Sequence, residues 1–238
     1  MTPAALTANL RRGLAAGLLA GLVAAVVAFV VGEPPLRDAV HLEQANAEQP
    51  PGGDVVAVGR SVQEAGLIVA TGLVGVTAGG LFGLVFWAVR PKLTTSSGWT
   101  ASLQVGAAAY VGVALMPSLK YPPNPPAVGD PATVSGRTGW YLLAVGVSLA
   151  VVVAAWQLAR RLRVRGVPHV SRQLLTASAA GVGFAGVWAL PAGAEPTGVP
   201  AALLWDFRLA ALATQLVLWA GTAVVFGLLS EHASEAPS

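Results

Sequence analysis

Residues 13–32 read GLAAGLLAGLVAAVVAFVVG, twenty positions with no aspartate, glutamate, lysine, arginine or histidine. A helix rises about 1.5 Å per residue, so an apolar run of about 18 or more can cross roughly 30 Å of hydrocarbon. The chain does this six times. Residues 65–89, 98–119, 138–159, 173–194 and 209–230 are equally free of those five residue types. Of the 238 residues 55% are hydrophobic and 11% charged, against roughly 25% charged in soluble domains, and the mean hydropathy is +0.67. These observations exclude a soluble single-core domain. They predict an all-α integral membrane protein, a polytopic bundle of six transmembrane helices forming a single membrane domain over 1–238.

Arg11 and Arg12 precede the first run, as in a secretory signal. The run is longer than a typical apolar signal core of about 7 to 15 residues, and only Val26-Val27-Ala28 offers a weak cleavage site, so retention is expected. Cleavage would leave five spans.

Numbering the loops alternately, one side collects Arg11, Arg12, Arg90, Lys92, Arg160, Arg161, Arg163, Arg165 and Arg172. The other carries Arg37, Arg60, Lys120, Arg137 and Arg208. The positive-inside bias therefore places both termini in the cytoplasm. Acidic residues segregate the opposite way: Glu33, Asp38, Glu43, Glu48, Asp54, Glu64, Asp130, Glu195 and Asp206 fall outside, and only Glu231 and Glu235 inside. The outer face is thus formally −4 and the inner +7. An anionic outer mouth concentrates cations, although any positive-inside protein tends toward this pattern. The basic stretch 160–165 resembles a nucleic-acid patch in isolation. Directly after a span it reads instead as a topology anchor on anionic headgroups of the lipid bilayer, and no nucleic-acid partner is expected.

Pro34, Pro117 and Pro191 stand at the outer ends of the first, third and fifth runs, and proline commonly terminates helices. Three outward-facing hairpins are predicted, with outer loops at 33–64 and 120–137. The second loop, KYPPNPPAVGDPATVSGR, is too proline-rich for a regular helix. Gly13, Gly17 and Gly21, and Gly75, Gly79 and Gly83, recur at four-residue spacing. Such stripes let membrane helices approach closely, here within one chain rather than between two copies.

Cysteine is absent and the three histidines lie on different loops. No phosphate-binding GxxxxGK[ST], no HExxH and no nucleophile elbow is present, so no enzymatic activity and no resident cofactor are expected. Candidate metal ligands are His41, Glu43 and Glu48, because imidazole and carboxylate suit divalent first-row metals; an ordinary solvated loop is the plain alternative. Lys120, Tyr121, Asn124, Asp130 and Arg137 would shape the second outer loop. At the rim, Arg137 and Arg208 would pair with Asp130 and Asp206. A pathway through the membrane would depend on Gln104, Gln157, Gln215, Thr71, Thr77 or freed backbone carbonyls. Inward movement of a divalent cation gains about 4.6 kcal/mol per 100 mV.

Three stretches together resemble the CbtA family of probable cobalt transporter subunits. They are GRSVQEAGLIVATGLVGVTAGGLFGLVF (59–86), MPSLKYPPNPPAVGDPATVSGRTGWYLL (116–143) and LLWDFRLAALATQLVLWAGTAVVFGLL (203–229). The LKYPPNPPAVGDP string is the most specific of them. The resemblance implies a multi-pass bacterial cytoplasmic-membrane protein tied to cobalt supply for cobalamin. It also implies a small one-span, histidine-bearing partner, CbtB, which would supply ligands that this chain lacks. Two functions stay open: a divalent-metal uptake subunit taking cobalt at an acidic outer mouth, and a non-conducting structural or assembly subunit. Nickel, cobalt and zinc accept similar ligands, so the metal is left open too.

Overall fold

The computed structural model describes the backbone of residues 2–46, 60–125, 134–192 and 199–235, and every regular element among them is helical. The chain is an all-α membrane protein. In order it forms α1 (Pro3–Val27), a π-helical turn (Ala28–Gly32), α2 (Glu33–Asn46), α3 (Arg60–Val89), a 3-10 turn (Arg90–Lys92) and α4 (Gly98–Ala109). A second π-helical turn (Tyr110–Leu115) leads into α5 (Met116–Lys120), followed by α6 (Val134–Val164), α7 (His169–Ala185), a 3-10 turn (Gly186–Ala189) and α8 (Ala201–Glu235).

Five helices among the described residues are long and apolar enough to span a bilayer: Pro3–Leu42, Gly66–Lys92, Gly98–Lys120, Val134–Val164 and Ala201–Ala233. Of the remaining apolar run, 173–194, residues 173–189 lie in the 17-residue α7 and the 3-10 turn after it. Together these extend about 33 Å at the usual rises per residue. Large side chains face outward along the spans, with Leu73 63% and Leu142 62% exposed. Lipid, not water, is the solvent that suits such a surface.

Several predicted boundaries move. Pro34 and Pro117 do not end their helices: α1 continues through Pro34 and Pro35 into α2, and the third span runs through Pro117 to Lys120. A proline lacks the N–H of an i→i−4 bond and its ring collides with that carbonyl. In both places a π turn ends two positions before the first proline, at Gly32 and Leu115. The wider i→i+5 register shifts the carbonyls out of α register just where the donor is missing, and the helix resumes. The expected loop 33–64 is therefore helical through Asn46, and α3 begins at Arg60. Likewise α6 begins at Val134, within the expected second loop, and α8 at Ala201, before the run that defined it.

The contacts divide the chain into two compact units, Met1–Ala107 with Pro125–Ala127 and Pro200–Ser238, and Ala108–Asn124 with Val128–Val199. In the first, Thr2 caps α1 by accepting the Ala5 N–H at 3.3 Å, and Pro3 occupies the first turn where its missing N–H costs nothing. α1 lies against α3 along the two glycine stripes. A Cβ on Gly17 would lie 2.7 Å from Gly79 Cα, and one on Gly21 2.9 Å from Gly75 Cα. The stripes thus pack within the chain, with backbone touching backbone. On the neighbouring face Phe82 and Phe86 of α3 meet Phe226 of α8 among Ala16, Ala101, Val105 and Ala223. Ser102, fully buried, donates to Ala223 O and ties α4 to α8.

In the second unit α6 packs on α7 and on the second π turn. α6 ends in a two-bond cap: Gly166, at φ 71°, donates to Arg163 O at 3.0 Å, and Val167 donates to Leu162 O at 3.0 Å. Glycine takes that left-handed conformation without a Cβ clash, and Pro168 then prevents the helix from resuming. Arg161 and Arg163 in the last turn complement the negative end of the helix dipole.

Candidate functional site

The predicted ligands sit at and beyond the C-terminal end of the first span. His41 is exposed on α2 and Glu43 belongs to the backbone of the same helix, while Glu48 lies outside the described residues. Two positions apart on a helix are turned by about 200°, so positions 41 and 43 are set on opposite sides of α2. Among the described residues no group of three His, Asp or Glu side chains could hold a metal.

The start of the segment expected as a second outer loop is fixed to the end of the fifth apolar run. Lys120 Nζ donates to Trp188 O at 3.4 Å and lies 5.8 Å from the centre of the Tyr121 ring. The Tyr121 hydroxyl donates to Pro191 O at 2.7 Å. Desolvation pushes that hydroxyl above the ordinary phenol value. Asn124 follows, half-buried, and Arg137 is half-buried in the first turn of α6; Asp130 lies outside the described residues. At the other rim position α8 is already helical, with Asp206 exposed and Arg208 half-buried. Residues two apart on a helix do not face each other, so the Asp206–Arg208 pairing expected for a loop is not favoured here.

The neutral groups suggested for a path through the membrane do not converge. Gln104, Gln157 and Gln215 are all exposed on the outsides of their helices. Thr71 and Thr77 donate to Leu67 O at 2.7 Å and Leu73 O at 3.0 Å within α3, the usual arrangement for a hydroxyl inside a helix.

Two polar features escaped the sequence reading. The first is Glu33, expected in a loop but standing inside the continuous first helix, 5% exposed and paired with Arg37 at 3.3 Å. Its i,i+4 relation to Arg37 was a signal in the sequence, visible only once the helix is known to continue. The second joins the N-terminal end of α4 to the C-terminal end of α8. Glu231 accepts the Ser97 hydroxyl at 3.0 Å and the Trp99 N–H at 2.9 Å on one carboxylate oxygen. Ser97 in turn caps α4 by accepting the Thr100 N–H at 3.1 Å. Arg90 donates to Thr95 O at 2.8 Å and to Ser96 O, so the short connection before α4 is held from both sides. A carboxylate at a helix N-terminus is favoured by the unpaired N–H groups and the dipole.

Removing the carboxylate in Glu231→Ala should therefore fray the start of α4. Amide exchange at Trp99 and Thr100 is expected to quicken clearly, and less in Glu231→Gln, whose amide oxygen still accepts. Unchanged exchange at Trp99 in Glu231→Ala would mean that Ser97 alone caps the helix.

The chain matches the family described as "Probable cobalt transporter subunit (CbtA)" over residues 7–231, nearly its whole length. No curated protein and no solved structure matches it.

Proposed function

The chain belongs to the CbtA family, and we propose that it is the membrane-embedded subunit of a divalent-metal uptake transporter, with cobalt as the carried ion. The match over residues 7–231 carries this reading: it makes the chain a membrane transporter subunit, a class of protein that is not an enzyme class, and a subunit implies a partner. The finer reading is a cytoplasmic-membrane protein of bacteria with six spans and both termini inside. A small one-span histidine-bearing subunit of CbtB type completes the path. Nine acidic residues assigned to the outer side support cation capture there. His41, Glu43 and Glu48 are the proposed first ligands, and Lys120, Tyr121, Asn124, Asp130 and Arg137 shape the entrance beside them. Asp206 and Arg208 belong to the rim.

The stitching of Lys120 and Tyr121 to the backbone at Trp188 and Pro191 supports a structural role for the second outer loop. The outward-facing glutamines support a partner within the membrane. A polar amide that faces hydrocarbon costs free energy unless another helix satisfies it. The same outward placement favours a second reading, a subunit that assembles or positions a transporter without conducting.

Proteoliposomes separate the two. Cobalt entry with the chain alone or with its partner, but not with the partner alone, supports conduction through this subunit; equal entry with and without the chain supports the assembly role. In cells that accumulate cobalt through this protein, Glu43→Lys with Glu48→Lys should cut accumulation about tenfold by turning an attractive mouth into a repulsive one. Undiminished accumulation would remove the capture role from these two carboxylates.

A further inference from the structure

α6 and α7 form an antiparallel hairpin joined by the four residues Arg165 to Pro168. Arg165 N–H donates to Arg161 O at 3.1 Å, so α register continues past Val164 until the Gly166 and Val167 bonds close the helix. At the start of α7, Arg172 N–H donates to Pro168 O at 2.9 Å. Arg160, Arg161, Arg163 and Arg165 are thereby held at one end of the hairpin together with Arg172.

The fold gives these side chains nothing to bind. Among the described residues none of the five guanidinium groups has an ion pair or a hydrogen bond. Elsewhere the chain does supply partners: Arg90 bonds Thr95 O and Ser96 O, and Lys120 bonds Trp188 O. No aspartate or glutamate stands anywhere from 131 to 194, so neither helix of the hairpin can neutralise the charge. Arg172 is also half-buried, while Ser171 and Gln173 on either side of it are exposed. A charge withdrawn from water is costly until an anion pairs with it.

Helical geometry divides the five into two groups. A Cβ on Gly183 would lie 2.9 Å from Val151 Cγ1, so these positions face each other. Eleven residues are about three turns, and antiparallel helices that meet there meet again at Leu162 and Arg172. Both are half-buried, as that pairing requires. At about 100° per residue, Arg165 and Arg161 lie about 60° and 100° to one side of Leu162. Arg163 and Arg160 lie about 100° and 160° to the other. Arg165 is thus the α6 arginine turned most nearly toward Arg172, with Arg161 one turn behind it on the same side.

Val164 and Val170, which stand between these arginines in sequence, are 82% and 65% exposed. Apolar side chains among unpaired arginines suit the boundary between lipid headgroups and hydrocarbon, not a water-facing protein partner. The uncharged run of α6 ends at Ala159, so the arginines emerge at the level of the bilayer phosphates. We propose that this end of the hairpin is a discrete site for an anionic phospholipid, its phosphate held by Arg172, Arg165 and Arg161. A guanidinium meets a phosphate through two parallel N–H bonds, a match of shape as well as charge. Pro168 gives α7 no side-chain cap, and the leading N–H groups of the helix add to the positive field there. A topology anchor needs only the number of charges; a site needs their placement.

The test is native mass spectrometry of the full chain in detergent. It is titrated with phosphatidylglycerol, phosphatidylcholine of the same acyl chains, inorganic phosphate and a short polyglutamate peptide. One phosphatidylglycerol per chain is expected to bind at least about tenfold more tightly than phosphatidylcholine. Arg165→Gln/Arg172→Gln should weaken it about tenfold, whereas Arg160→Gln/Arg163→Gln, which removes the same charge, should change it less than about twofold. Equal losses in the two double variants, or equal binding of the two lipids, overturn the site. Inorganic phosphate or polyglutamate binding as tightly as phosphatidylglycerol also overturns it, the first pointing to a free anion and the second to an acidic protein partner. None of these arginine side chains is bonded within the hairpin, so the variants should unfold in lipid-free detergent as the wild type does. If Arg165→Gln/Arg172→Gln nevertheless folds poorly, Arg161→Lys/Arg165→Lys/Arg172→Lys keeps every charge and should still lose phosphatidylglycerol severalfold, because an ammonium cannot make the paired bonds. Undiminished binding in that variant overturns the site. Lipid binding is read without any metal, so its outcome is separate from that of the transport reading.

Discussion

Leucine in place of Gly79 is expected to leave little folded protein in the membrane. A Cβ at that position would lie 2.6 Å from Gly17 Cα and 2.7 Å from Gly17 N, and would also strike the Gly13 carbonyl. These neighbours are backbone on the facing helix, so no side chain can rotate away. α1 and α3 would have to separate along the whole stripe, which also includes Gly13, Gly21, Gly75 and Gly83. Membrane helices have no hydrophobic gain to hold them together once close packing is lost, because lipid solvates leucine and valine equally well. Overpacking of a rigid contact costs about 1–3 kcal/mol in soluble cores. Here the loss of the stripe adds to it, giving about 3 kcal/mol or more and a large fraction of any domain's stability. The measurement is unfolding of the detergent-solubilised chain, with Gly72→Ala on the same helix as the control. At position 72 the nearest atom to a new Cβ is Leu22 Cδ2 at 3.7 Å, ordinary contact, so Gly72→Ala should be neutral or slightly stabilising. Equal stability in Gly79→Leu and Gly72→Ala would show that the two stripes do not meet.

The glycine stripes were legible in the sequence because four-residue spacing is local and glycine has no other common reason to recur so regularly inside a span. The apolar runs were legible for the same kind of reason: absence of charge over about 20 residues has one physical solution in a bilayer. Helix ends were harder. Pro34 and Pro117 obey the rule that proline lacks a donor, but the rule does not say whether a π turn will absorb the defect. Glu33 reads as a loop residue as long as any charge is held to end a span. A carboxylate with an arginine one turn later can stay within the helix, so the charge did not mark a boundary. Glu231 and Ser97 were illegible for another reason. They lie 134 residues apart, and nothing local says which helix N-terminus a distant carboxylate will cap. The ligand set proposed around His41 depended on a segment whose conformation hydropathy does not determine. The helix through Asn46 separates positions that a loop could have gathered.

Phe226→Ala should be the second most damaging change, and its size follows from what a membrane protein does and does not gain by burying a ring. Phe226 is fully buried, with its ring centre 5.2 Å from that of Phe82 at 62° and 4.7 Å from that of Phe86 at 57°. In water the same truncation costs about 3–5 kcal/mol, part of it the transfer of the ring out of solvent. That part is absent when the unfolded reference is lipid. The cavity term remains: on the order of 100 Å3 at about 24 cal/mol per Å3 gives about 2 kcal/mol. The edge-on contact with Phe82 and the tilted one with Phe86 add about 0.5–1.5 kcal/mol each, bringing the expected loss to about 3–5 kcal/mol. The contacts can be isolated from the cavity by a double-mutant cycle with Phe82→Leu, where a coupling of about 1 kcal/mol is expected. Phe29 supplies the contrast, being 39% exposed on the lipid-facing side of the first π turn; Phe29→Ala creates no enclosed cavity and should change stability little. If Phe226→Ala proved as mild as Phe29→Ala, the three rings would not be a packed core. α4 and α8 would then depend mainly on the Ser102 and Glu231 bonds for their alignment. If the loss is near the expected size, those bonds instead act on helices that ring packing has already brought together.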